Sequence, residues 1–156
     1  MEYFMTLKSL ALFTLLAASS PALAASDGAA LFAANCSVCH QAEGIGSAGQ
    51  FPPLKGRIDK IAESAAGKTY LADVVLNGFS GKISVQGSVY MGFMPSFGAT
   101  SDDDLAAILT YLSGLGTTKP APVITAAEIK AERATPKKSS EIAAERKALD
   151  AAHPLP

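Results

Sequence analysis

The chain is sparing with the residues that most often announce a chemistry. It has 2 cysteines and 2 histidines in 156 residues. Two cysteines, Cys36 and Cys39, cannot staple a small exported domain, because a disulfide closing so short a loop stabilises little. Two histidines, of which His153 lies near the C-terminus, leave a four-ligand zinc site short of donors. Charge is nearly balanced, with 13 Lys and Arg against 14 Asp and Glu, for a net charge of −1. Such a balance carries no field for nucleic acid or for an anionic membrane surface. There is no internal repeat and no β-α-β alternation, so a thioredoxin-like reading of the C-x-x-C pair has no scaffold. Long apolar runs are scarce as well. The run at 10–18 is shorter than the roughly 18 to 20 residues that span a bilayer, and no later segment is longer, so the mature chain is expected to have no transmembrane segment.

What is present begins with "MEYFMTLKSLALFTLLAASSPALAAS". Lys8 precedes an apolar stretch that closes on the small-residue pattern Ala22-Leu23-Ala24. This predicts a secretory signal peptide over 1–24, cleaved near Ala24 or Ala25, and a periplasmic protein. Cleavage removes Glu2 and Lys8 and leaves the net charge unchanged. The remaining length suits one domain with a core. Composition divides it into a domain at 25–116 and, after the linker "TTKPAPV", an extension at 117–156.

Capping and periodicity predict mostly helix. Ser26 or Asp27 can cap "GAALFAAN", while "GIGSAGQFPPLK" at 44–55 reads as loop. Two short helices are expected in "IDKIAESAAG" and "TYLADVVLNG", stopped by Gly67 and Gly78. Ile83 and Val85 alternate with polar residues before a glycine-punctuated loop, which allows a small hairpin. Ser101 and Asp104 form a capping-box pattern ahead of Leu105, Ile108, Leu109 and Leu112 at helical spacing, with three acids suited to the helix dipole. In the extension, Thr125 and Glu128 form another box. The apolar stripes there are thin, Ile124 and Ile129 and then Ile142 and Leu149, and predict segments folded loosely on the domain.

The chemistry is concentrated in "ANCSVCHQAEG" at 34–44. Cys36, Cys39 and His40 form C-x-x-C-H, which signals covalent haem attachment: two thiols one helical turn apart for the two vinyl groups, and an imidazole beneath the iron. Here the sequence resembles the class I c-type cytochromes, small all-α haem domains with the N- and C-terminal helices packed together. The resemblance covers roughly 26–116. Gly28 and Phe32, with Ile108 and Tyr111, look like the contacts of the two helices. "PPLKG" is similar to the loop whose carbonyl, here that of Pro52, accepts the second N–H of the axial histidine. The resemblance implies one covalently bound haem c and an iron held by His and Met.

Removal of the signal peptide leaves Met91 and Met94, both in "YMGFMPSFG". Met94, beside Pro95, is the expected sixth ligand, ahead of Met91 and His153. Phe51, Leu54, Phe79, Tyr90, Phe93 and Phe97 are candidates for the haem wall. The expected function is one-electron transfer without substrate chemistry, between redox partners such as a dehydrogenase, a quinol-oxidising complex or an oxidase. Two alternatives are a haem subunit held in a dehydrogenase by the extension, and a haem enzyme or gas-binding protein with a labile sixth ligand. Asp102, Asp103 and Asp104 are either a docking patch or helix-capping charge.

Overall fold

The computed structural model describes residues 26–156; the expected signal peptide lies outside the described residues. In chain order the elements are α1 (Gly28–Asn35), α2 (Ser37–His40), α3 (Ile58–Ile61), α4 (Ala65–Asn77), β1 (Phe79–Val85), β2 (Ser88–Met94), α5 (Asp102–Gly114), α6 (Ala126–Arg133) and α7 (Ser139–Ala152).

α1 starts where the Asp27 carboxylate accepts from the N–H groups of Ala29 and Ala30, at 3.0 and 3.1 Å. Half of its residues are alanine, and it crosses α5 very closely. A Cβ at Gly28 would stand 2.2 Å from the Ala107 carbonyl oxygen, so only glycine permits the approach. Four residues on, Phe32 is buried and meets Tyr111 with ring centroids 5.8 Å apart. α5 supplies the other side of the core: Leu105, Ile108, Leu109 and Leu112 are all buried. Its Ser101 cap accepts from the Asp104 N–H at 3.1 Å, but the Asp104 carboxylate turns instead to the Ser26 hydroxyl at 2.7 Å. The box is half made because a tertiary donor competes for the acid.

Gly67 does not stop a helix. It lies inside α4, where its N–H meets the capping Ser64 hydroxyl at 3.0 Å. A Cβ at this position would fall 1.7 Å from the Ile61 carbonyl oxygen, so Gly67 lets the end of α3 press against the start of α4.

The fold is mainly helical rather than all-α. The alternation at Ile83 and Val85 is part of a seven-residue strand, paired antiparallel with β2 in the register Phe79↔Met94, Ile83↔Tyr90 and Val85↔Ser88. Gln86 and Gly87 make the turn with φ of 49° and 77°, the two positive values that match the twist of a hairpin. Among the described residues, no helix is long and apolar enough to cross a membrane.

The extension is not loosely folded. α6 lies on α4 and α5, and α7 lies on α4 and β1. Ile124, Ile129 and Ile142 are 2 %, 0 % and 0 % exposed and belong to the same core as Phe32 and Leu109. Polar ties reinforce them. Arg133 reaches Asp102 at 2.7 Å and the carbonyls of Gly98 and Thr100, while Lys137 bonds Asp73 at 2.7 Å and also Glu145. The linker is held too, since Asp59 accepts from the N–H groups of Thr117 and Thr118 and from the Thr118 hydroxyl. A thin stripe measures how many apolar residues a helix has, not how deeply each is inserted.

Candidate functional site

The first wall of the site is built by the break between α1 and α2. Cys36 sits at that break, and its carbonyl accepts the N–H groups of Cys39 at 3.2 Å and His40 at 3.0 Å. This single turn holds both sulfurs and the imidazole together. The two thiols are free and half-buried. Burial, and then the neighbouring Cys39, pushes the Cys36 thiol up to about 11, so it is protonated near neutral pH.

After His40 the chain turns sharply, with Gln41 and Glu43 at φ of 61° and 54°. The loop then folds back on itself. Leu54 and Lys55 donate to the Gly44 carbonyl at 2.7 and 3.0 Å, and Ser47 and Phe51 form an isolated bridge. A Cβ at Gly46 would lie 2.6 Å from the Pro53 nitrogen, so glycine is what allows the fold-back. Its product is a fixed carbonyl: Pro52 O lies 3.0 Å from His40 Nδ1 and accepts its N–H. With Nδ1 carrying the proton, Nε2 keeps its lone pair. Burial, and the positive Arg57 nearby, lower the His40 pKa against the opposing effect of the Pro52 bond. The imidazole is therefore a neutral donor, as a metal ligand must be.

The second wall is the hairpin and the segment that follows it. Side chains on a strand alternate between faces, so the register separates the two methionines. Met94 shares a face with buried Tyr90, whereas Met91 is on the opposite face with Val89 and Phe93 and is 74 % exposed. The backbone after Met94 is pinned to the end of α4. Phe97 N–H donates to Val75 O at 2.9 Å, and the Ser96 hydroxyl donates to Leu76 O. Gly78, at φ 73°, permits this contact, because a Cβ there would lie 2.5 Å from the Met94 carbonyl oxygen.

Between these walls is one cavity. Cys36, Cys39, His40, Pro52 and Met94 all line it, and so does the largely exposed Met91. So do Phe51, Leu54, Phe79, Tyr90, Phe93 and Phe97, with Phe93 at the rim. Its floor contains residues that sequence reasoning did not single out, among them Tyr70, Leu71, Val74 and Val75 of α4. Helical periodicity in α4 could have found them. Gly81 and Gly92 also line it, opposite one another across the hairpin, and a Cβ at Gly92 would meet nothing within 4 Å. His153 ends α7 exposed to solvent and is not among the lining residues. The acids of α5 are mostly engaged, Asp102 by Arg133 and Asp104 by Ser26, which favours capping and docking of α6 over a free patch.

An apolar cavity with a side-chain-free stripe on one wall, two thiols and a neutral imidazole nitrogen on another, and a thioether on the hairpin side fits a flat, apolar, metal-bearing macrocycle. The donor set suits iron porphyrin: soft sulfur and imidazole rather than carboxylates.

Residues 25–116 match the sequence model of the family described as Cytochrome c. The chain is similar to a cytochrome c-552 of Thermus thermophilus, 39 % identical over 132 residues that cover 82 % of this chain and 88 % of the relative. A second cytochrome c-552 from the same species is 39 % identical over 127 residues, covering 79 % of this chain and 96 % of that protein.

Proposed function

Since the chain belongs to the cytochrome c family, whose members carry electrons on covalently bound haem c, we propose that it is a periplasmic one-electron carrier. In this reading 1–24 is the export signal, 25–116 the haem domain and 117–156 an integral clamp over it. Its partners are redox proteins, a dehydrogenase or quinol-oxidising complex on one side and a terminal acceptor on the other. The observation that carries the proposal is the convergence of Cys36, Cys39, His40 and Met94 on one apolar cavity.

Haem c, when bound, supplies the redox couple; the chain supplies everything that tunes it. Cys36 and Cys39 would fix the macrocycle through thioethers. His40 would offer Nε2 to one face of the iron, its ring orientation held by the Pro52 carbonyl. Met94 would offer its thioether to the other face. A thioether favours reduced iron, so the potential should lie above that of a bis-histidine site. The cavity walls exclude water, and the hydrogen bonds that pin 94–98 to α4 limit how far the ligand can move when the charge changes. The extension is engaged on its own domain, which favours a free carrier over a subunit held elsewhere by that extension.

Extraction and two spectra test this. Acid-acetone should leave the colour with the protein, and release of the haem would refute covalent attachment. Oxidised wild type should show the weak near-infrared sulfur-to-iron band. Met94→Ala should lose that band, bind cyanide or carbon monoxide and have a lower potential, while Met91→Leu should keep the band. Reversal of the two variants would transfer the ligand role to Met91. A five-coordinate, high-spin wild type would instead favour a ligand-binding haem protein.

A further inference from the structure

Behind the cavity floor, three carboxylates share one ammonium. α4 lines the cavity with Tyr70, Leu71, Val74 and Val75, whereas Asp73 of the same helix is not among the lining residues. It is fully buried, and its Oδ2 accepts from Lys137 at 2.7 Å. Lys137 is fixed by its own backbone N–H, which donates to Asn77 Oδ1 at 3.1 Å. Its ammonium also bonds Glu145 and stands 3.8 Å from Glu132. Two oxygens of the cluster, Asp73 Oδ1 and Glu145 Oε2, are enclosed and have no hydrogen-bond partner among the described residues. The other charges on the elements around α4 are engaged elsewhere. Glu128 of α6 pairs with Lys68, and Arg146 of α7 donates to the Ser84 carbonyl and the Tyr70 hydroxyl. On α3, Asp59 is taken by the linker and Lys60 by the Thr118 hydroxyl. On α5, Asp102 is held by Arg133 and Asp104 by Ser26, while Asp103 is exposed beside the start of α1.

Three carboxylates against one ammonium leave negative charge uncompensated under the extension, which is costly away from water. A proton is the smallest group that relieves it. Burial first, and the repulsion of Glu145 and Glu132, lift the Asp73 pKa to about 6 against the pull of Lys137. Burial works against the Lys137 charge too, but its bonds to Asp73 and Glu145 outweigh burial, and the ammonium stays charged. The geometry gives the proton a place to land. On Asp73 Oδ1, the oxygen without a partner, it removes a charge and leaves Lys137 on Oδ2, so the site loads and empties without undocking the extension.

Resting on the cytochrome reading, we propose that Asp73 is a proton site coupled to the haem iron, assembled when α6 and α7 close over α4. Asp73 and the floor residues share one helix, about 10 to 12 Å across with its side chains, so the charges of carboxylate and iron interact through a medium that screens them less than water does. Reduction lowers the positive charge at the iron by one and weakens its hold on an ionised Asp73. In molecules that respond, one electron passes from the reduced partner protein to the iron, and one proton passes from solvent to Oδ1, where an O–H bond forms. No other bond changes. Coupling is reciprocal, so a proton on Asp73 raises the potential. Glu132, Lys137 and Glu145 lie outside the 25–116 segment that the family model covers, so the site is a product of the extension.

The test is the reduction potential of the holoprotein as a function of pH, in wild type, Asp73→Asn, Glu145→Gln and Asp103→Asn. Wild type should lose potential as the pH rises through about 6, where Asp73 ionises and its charge begins to favour oxidised iron. Asp73→Asn should lack that step and keep a higher potential than wild type at neutral pH. Glu145→Gln should move the step to lower pH, because one repelling charge is gone. Asp103→Asn, which removes an exposed acid, controls for net charge and should leave the step in place. A step of unchanged size and midpoint in Asp73→Asn would overturn the proposal. The side-chain carboxyl NMR signal of Asp73 in the wild-type holoprotein gives a second reading that needs no variant to fold. It should titrate at a higher pH in the reduced form than in the oxidised form, and the same midpoint in both would overturn the coupling. Failure of the cytochrome reading is visible separately, as release of colour from wild type in acid-acetone.

Discussion

The segment 26–116 and the extension 117–156 are built on different terms, although both reach the same core. α5 places four residues of a continuous apolar stripe against Phe32 and α3, and its sequence reads as a core helix without help. α6 and α7 bury one isoleucine each, Ile129 and Ile142, and both are completely enclosed. Around these two anchors the extension is held by long basic side chains reaching back to carbonyls and acids of the domain. One region is attached by the breadth of its apolar surface, the other by a few deep insertions fixed in place by charge. Depth is what matters to stability, since a fully enclosed side chain contributes its whole transfer free energy.

The widest test of that equivalence is truncation after Thr118. It removes Ile124, Ile129 and Ile142 and opens the core above α4 and α5, so the holoprotein should lose on the order of 5 kcal/mol in denaturant unfolding. A midpoint left within experimental scatter would return the extension to the status of a solvated appendage. A sharper comparison sets one anchor against one core residue: Ile129→Ala and Leu109→Ala should each cost about 2 to 5 kcal/mol. An Ile129→Ala value well below that of Leu109→Ala would mean that α6 can collapse onto the gap more easily than α5 can.

The polar ties should cost less. Arg133→Gln leaves Asp102 and the carbonyls of Gly98 and Thr100 short of their donors, for about 1 to 2 kcal/mol. Faster amide exchange should appear in α6 and around 98–102, while α1 stays protected. An unchanged exchange pattern would show that the isoleucines alone hold α6.

The smallest effect belongs to the joint between the two regions. Asp59 is fully buried. Its burial favours the neutral acid, but the hydrogen bonds from Thr118, Thr117 and Lys60 outweigh it and hold the pKa below the ordinary aspartate value. A depressed folded pKa gives stability that is present above the unfolded value and lost as the pH falls through the folded one. Asp59→Asn should therefore be less stable than wild type by about 1 kcal/mol at neutral pH, with the gap closing in acid. A gap that stayed constant with pH would mean that the charge of Asp59 contributes nothing to the joint.

The sequence by itself determined what depends on neighbours along the chain. The spacing of Cys36, Cys39 and His40 puts them on a single turn, Ser101 and Thr125 cap the helices they precede, Ser26 or Asp27 caps α1, and the stripe of α5 identifies its buried face. These are consequences of helical geometry over a few residues, so they could be read before any fold was known. Tertiary structure decided the rest. Gly67 looks like a stop signal until Ile61 is seen pressing on it, and the preference for Met94 that Pro95 suggests says nothing of orientation until the hairpin register turns Met91 and Met94 to opposite faces. The depth of Ile129 and Ile142 depends on chain segments far apart in sequence closing over one core. Periodicity counts apolar residues and records nothing of what lies across from them; only packing brings distant partners within reach, and there burial and charge take effect.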